Sequence, residues 1–344
     1  MSRRAIDRAR ALWCVVVGAG CFASFGAACP RGGGVALGPS LGVAPLLFTM
    51  PDRPRCEGDY DAAVDVAVVG DPALREVSGL ATSVQNPDVL WGIADADNGA
   101  VVVGISATTG ATRLTVTLPV DNVDFEDVQT GPCPDVRSAC IYVADTGDND
   151  ANRPRAFLYA FPEPVLSELS GVGAISIASV VKIPVAYDGG AVDVEAIAVA
   201  PDGATVLFFE KTTEALSARI FALRAPYILG SAGDVALDVD DNVLAVVGSV
   251  TAPVDNAEGR AITAATWHWS GKRLALRFDA GVAEYEGVVV DDFFAPAAAR
   301  VVFPINNEGN SGESIAYSST GTDLFTIAEA AADEVPVLHR SACP

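Results

Sequence analysis

Five residues with side-chain oxygens recur in matching contexts: Ser78 in EVSGLA, Glu126 in DFEDVQT, Glu195 in DVEAIAV, Thr263 in ITAATW and Glu313 in GESIAYS. They are spaced by 48, 69, 68 and 50 residues, and each stands at the head of a short, mostly apolar run that leads through a turn into a second one. Three carboxylates and two hydroxyls gathered in one place repel one another unless a cation or protons neutralise them. All-oxygen ligation suits a hard cation, and a flexible ring of this kind suits Ca²⁺ better than Mg²⁺. His268 and His339 are the only histidines, so a zinc site has little to build on. Acidic residues at strand starts also cap turns, and a polar mouth is often simply solvated. Both readings stand beside the metal one.

A second set of polar groups lies at the ends of the following runs. Asp95, Asp97 and Asp148 are candidate catalytic carboxylates, able to orient water against a phosphate polarised by a metal. Arg153, Lys211 and Arg277 are the cations available to hold an anionic substrate. Asp148 lies in GDND, a stretch of turn formers, so turn chemistry explains it equally well. No GxGxxG, GxxxxGK[ST] or GxSxG motif is present, which leaves nucleotide-loop and hydrolase-elbow mechanisms without support. His268, between Trp267 and Trp269, reads as structural.

The elements that must position these groups are strands. Short Val-rich runs broken by Gly, Pro, Asn and Asp favour an all-β fold. From residue 60 the runs group in fours: VSGLAT, VLWGIA, AVVVGIS and RLTVTLP, then EDVQT, CIYVAD, AFLYAFP and SVVKIPV. The third set is EAIAVA, TVLFFE, RIFALRA and NVLAVVG, and the fourth is ITAATWHW, KRLALRF, YEGVVVD and ARVVFPI. The fifth supplies only ESIAYS, DLFTIAE and VPVLHR, and AAVDVAVVG, upstream of the first set, completes it. Four-stranded units arrayed radially make a five-bladed β-propeller whose N-terminal strand closes the last blade. Six blades is the alternative, but it would divide the two long steps and leave Glu195 in mid-blade. First strands line the channel of such a fold, so the five recurring residues should converge.

Residues 1–28 read as an export signal, with Arg3, Arg4, Arg8 and Arg10 ahead of an apolar stretch; a transmembrane anchor is the alternative. Residues 29–58 read as a Gly/Pro-rich linker, although APLLFTM has the composition to pack on the domain that spans residues 59–344. Cys29 follows a weak lipoprotein cleavage box. CPDVRSAC suggests a Cys133–Cys140 disulfide, and Cys56 then pairs with Cys343 by exclusion. Lipidation of Cys29 leaves no odd thiol in an oxidising compartment. The net charge is −22, and −25 without residues 1–28. Such a surface repels nucleic acid and anionic membrane. Membrane contact is therefore expected only through a lipid anchor. A monomer in the bacterial envelope, periplasm or exterior is expected, with an unassigned small-molecule or protein ligand at the channel face.

The motifs EVSGLA, DFEDVQTG, YVADTGDND, DVEAIAV and GESIAYS resemble a family of exported bacterial propellers of unassigned activity, in which Trp usually stands where this chain has Phe125. More distantly, the Ser/Glu/Glu/hydroxyl/Glu order is similar to that of the calcium-activated nucleotidases, or apyrases, which are five-bladed propellers. That resemblance implies Ca²⁺ on Ser78, Glu126, Glu195, Thr263 and Glu313, and an acidic substrate-side residue at Asp95 or Asp97. Thr263 replaces a serine, and Lys211 and Arg277 match only part of an arginine-rich phosphate site. Three readings follow: a Ca²⁺-binding envelope module or scaffold, a Ca²⁺-dependent nucleotide phosphohydrolase, and a metal-free propeller holding a cationic or sugar ligand.

Overall fold

The computed structural model describes residues 48–95, 98–135, 137–212, 217–225, 242–253, 261–279, 281–286, 300–304, 312–328, 330 and 334–344. The expected leader, Cys29 and Asp97 lie outside these residues.

Four antiparallel strands form the core of each of five sheets, called here blades I to V. Blade I holds Val77–Thr82, Val89–Ala94, Val101–Ser106 and Thr112–Thr117. Blade II holds Phe125–Pro132, Ala139–Asp145, Ala156–Pro162 and Val181–Tyr187. Blade III holds Val194–Val199, Thr205–Glu210, Ala218–Arg224 and Val246–Val250. Blade IV holds Ile262–Trp267, Arg273–Phe278, Gly281–Glu286 and Arg300–Pro304. Blade V takes Gly312–Tyr317, Leu324–Ala328 and Val337–Ser341 from the C-terminal end and Val64–Val68 from the N-terminal end. The chain is an all-β, five-bladed β-propeller with its first and last strands in one sheet.

Inner strands such as Val77–Thr82 and Val194–Val199 are buried at every residue, which explains their nearly continuous apolar reading. The outer strand Thr112–Thr117 is partly exposed and keeps more polar residues. The core is divided among the junctions between blades. Trp91, Phe125 and Phe161 fill the I–II junction, and Tyr142, Phe208 and Phe221 fill II–III. Phe209, Ile262 and Phe278 fill III–IV, Ile315 and Tyr317 meet Ala264 and Val282 at IV–V, and Leu80, Ile327 and Leu338 join V to I.

Side-chain hydroxyls latch the inner strands. Thr146 Oγ1 donates to Val194 O at 2.7 Å, Thr130 Oγ1 to Thr82 O at 2.8 Å, and Thr82 Oγ1 to Tyr317 O. Asp127, wholly buried, accepts from Ile197 N at 2.9 Å and ties blade II to blade III. These bonds satisfy backbone groups that a purely apolar junction would leave without partners.

Two short strands extend the sheets beyond four. Ala174–Ser176, in the long connection inside blade II, pairs parallel to the outer strand of blade I. Val243–Leu244, just before the outer strand of blade III, pairs parallel to that of blade II. Both cover a sheet edge that would otherwise be open to pairing with another chain. The sequence indicated long connections there without indicating that they would pair.

The ring closes twice, by Val64–Val68 against Val337–Ser341 and by the Cys56–Cys343 disulfide. The second expected disulfide, Cys133–Cys140, is also present. The last residues of the expected linker pack against blade IV: Arg53 lies over the Trp269 ring, Arg55 pairs with Glu286 at 2.8 Å, and Cys56 O accepts from Arg273 at 2.6 Å. The Cys56–Cys343 bond spans 287 residues, so opening it frees a large loop in the unfolded chain. Replacing both cysteines by serine should lower the unfolding free energy in urea by about 2–4 kcal/mol. An unchanged midpoint and slope would contradict this role.

Candidate functional site

Each of the five recurring residues falls at a break in the ladder between its blade's first and second strands. The register shifts between Val77 and Gly79, Phe125 and Asp127, Val194 and Ala196, Ile262 and Ala264, and Gly312 and Ser314. Ser78, Glu126, Glu195, Thr263 and Glu313 are therefore the bulged residues. A bulge leaves one residue out of the ladder and re-aims its side chain, a common device beside functional sites.

The structure brings together only part of this set. Glu126 and Glu195, both buried, belong to two groups of carboxylates whose oxygens lie within 4.8 Å of one another: Asp95, Asp124 and Glu126, and Glu126, Asp193 and Glu195. Glu126 is common to both. Ser78 Oγ lies 3.3 Å from Glu126 Oε2 and also donates to Glu126 O. Thr263 Oγ1 donates to Gly312 O, latching blade IV to blade V. Glu313 is half-buried and belongs to neither group, although its charge acts on Glu195, Lys211 and Arg277. Asp124 and Asp193 were not singled out from the sequence. Their signal was the shared Asp-x-Glu spacing, Asp124 before Glu126 and Asp193 before Glu195.

The neighbouring cations differ in what they hold. Lys211 Nζ pairs with Glu195 Oε1. Arg153 pairs with Asp145 at 2.8 Å and donates to Gly147 O at 2.6 Å. Arg277 is completely buried against Gly312, and none of its guanidinium nitrogens has a hydrogen-bond partner among the described residues. Asp148 accepts from Asn152 N at 2.9 Å and Arg153 N at 2.8 Å, while its own N–H donates to Asp193 at 2.9 Å. Its carboxylate shapes the loop, in keeping with the turn reading of GDND. His268 is buried, with Nε2 facing Pro54 O and Gly321 O at 3.2 and 3.0 Å, a structural setting.

Crowding sets the electrostatics. At an effective dielectric near 20, two carboxylate charges 4.8 Å apart repel by about 3 kcal/mol. Burial, followed by the charges of Glu195 and Asp95, holds the Glu126 carboxyl well above the usual range. Burial and the nearby Asp95, with which it shares a carboxyl–carboxylate hydrogen bond, raise Asp124 to about 6. Burial outweighs Lys211 and raises Glu195 to about 8. Lys211 is desolvated too, but Glu195, Glu313 and Glu126 more than compensate and push its pKa up. Burial lowers Arg277 to about 10, partly opposed by Glu313 and Asp279, so it stays charged at neutral pH.

The donors fit a hard divalent cation: all are oxygen, from the end of a blade I strand at Asp95 and the starts of the inner strands of blades II and III. Space is kept clear as well. A Cβ on Gly147 would fall 2.0 Å from Glu126 Oε1 and 2.5 Å from the Asp124 carboxylate. Two acidic clusters able to coordinate a metal ion are therefore present among the described residues.

No protein-family model matches the chain, and no curated protein matches it. Among solved structures, the PQQ-bound form of aldose sugar dehydrogenase from Streptomyces coelicolor is similar over 84% of this chain and 99% of that one, with 11% sequence identity and a TM-score of 0.43. Likeness at that level transfers neither cofactor nor substrate.

The raised carboxyls fix the sign of the pH dependence without added cation. Between their unfolded and folded pKa values the folded state binds more protons than the unfolded one, so stability falls as pH rises. Asp124 and Glu195 place that fall between about pH 4 and about pH 8. Melting in chelator across this range should show a steady decline. A rise from pH 5 to 8 would contradict the assigned shifts.

Proposed function

We propose that the protein is an exported, lipid-anchored propeller that binds one Ca²⁺ at the channel mouth and serves as a binding or scaffold module of the cell envelope. The leader at residues 1–28 and Cys29 support the location, and the cation reading rests on Glu126. This residue is buried, its carboxylate lies within 4.8 Å of those of Asp95, Asp124, Asp193 and Glu195, and no basic side chain forms an ion pair with it among the described residues. Asp95, Asp124 and Glu126 hold the ion, with Ser78 beside Glu126. A divalent charge relieves their repulsion and displaces the protons that otherwise do so.

Cation-dependent phosphate hydrolysis is the second reading, and the mouth supports it less well. Asp148 is engaged by its loop, Arg153 by Asp145 and Gly147, and Arg277 is enclosed between blades. Asp95 is the exposed member of the first triad and the remaining described carboxylate for orienting water.

Ca²⁺ at about 100 times its dissociation constant should stabilise the protein by about 2.7 kcal/mol, raising Tm by roughly 5 °C over the chelated form. Glu126→Gln should abolish that difference. Equal melting with Ca²⁺ and with EDTA would rule out the cation site. Phosphate release from nucleoside di- and triphosphates under the same conditions would favour the hydrolase reading instead.

A further inference from the structure

Five carboxylates arranged as two triads around Glu126 offer places for two cations, not one. The two triads differ in what already stands beside them. Lys211 is the first residue after the strand Thr205–Glu210, which pairs with the strand carrying Glu195 through Val194 opposite Glu210. Its backbone N–H donates to Asp193 O at 3.0 Å, so the ladder sets the lysine against Asp193, two residues before Glu195. From there the ammonium reaches the Glu195 carboxylate, whose oxygen lies within 4.8 Å of those of Glu126 and Asp193. An ion coordinated by that triad, at roughly 2.3–2.6 Å from each oxygen, would meet the ammonium nearly in contact. The first triad differs. Arg153, whose charge reaches Asp124, is directed at Asp145 and Gly147 O. The missing side chain of Gly147 leaves room beside Asp124 and Glu126.

We propose that Lys211 is a tethered cation filling the Glu195 end of the mouth, which limits the chain to a single divalent ion on Asp95, Asp124 and Glu126. This rests on the cation reading above and adds the ion's position and stoichiometry. The charges of Glu313 and Asp279 also act on the ammonium, and both act on Arg277 as well. A lysine at this position excludes a second ion by charge, and its reach is fixed by the strand ladder.

Calorimetric titration of the full domain with Ca²⁺ alone tests the assignment. The unaltered protein should bind one ion, Lys211→Met two, and Lys211→Arg one. If Lys211→Met does not fold, Lys211→Gln replaces it. In the unaltered background, Glu195→Gln should still bind one ion and Glu126→Gln none. Two ions in the unaltered protein, or one in the folded Lys211→Met or Lys211→Gln variant, would overturn the assignment while leaving the cation site intact. No binding in any form would remove the cation reading itself.

Discussion

Everything at the mouth depends on carboxylates that cannot move apart. Asp124 and Glu126 begin one inner strand, Asp193 and Glu195 the next, and those strands are locked side by side. Thr146 and Asp127 bridge them by hydrogen bonds, Asp148 N–H holds Asp193, and the II–III core packs behind. Two neighbouring carboxylates separated in water would gain roughly 3 kcal/mol of relief, a large fraction of a typical folding free energy. The frame prevents that separation, so the charge must be neutralised in place. Protons, Lys211 and a divalent cation are the available means, and the raised carboxyls mark where protons act when no other charge does.

The ring is five-fold in backbone and not in chemistry. Bulges recur in all five blades, yet the acidic groups cluster on blades I to III. Across the channel, Thr263 serves as a latch, and Arg277 lies under Gly312 with its guanidinium enclosed. That buried cation acts on Glu313 and Asp279. Of the five recurring positions, only Glu126 and Glu195 belong to the carboxylate triads found among the described residues. This asymmetry explains why the positive groups that looked suited to an anionic substrate do not form one grip.

Much of the fold was legible because it follows from periodic pattern. Alternating apolar runs and turn residues located nearly every strand, and counting them gave the blades and the closing strand. Cysteine spacing located Cys133–Cys140, and exclusion located Cys56–Cys343. The parallel edge strands were not legible: Ala174–Ser176 is a three-residue piece whose pairing depends on where the previous blade's edge lies. At the site, the five recurring positions were legible because a bulge imposes the same local sequence in every blade. Their partners were not, since the carbonyls that the Ser78 and Thr263 hydroxyls meet belong to the next blade and depend on how the blades pack. Asp124 and Asp193 were visible as an Asp-x-Glu repeat but lay one step outside the counted positions. The Lys211–Glu195 pair required the register of two strands.

Anomalous scattering from a crystal of the domain soaked in Tb³⁺, as a stand-in for Ca²⁺, locates the ion directly. The account predicts one strong peak among the carboxylates of Asp95, Asp124 and Glu126, with the Lys211 ammonium still on Glu195. A peak centred on the channel axis among Ser78, Glu195, Thr263 and Glu313, or no peak at the mouth, would contradict it.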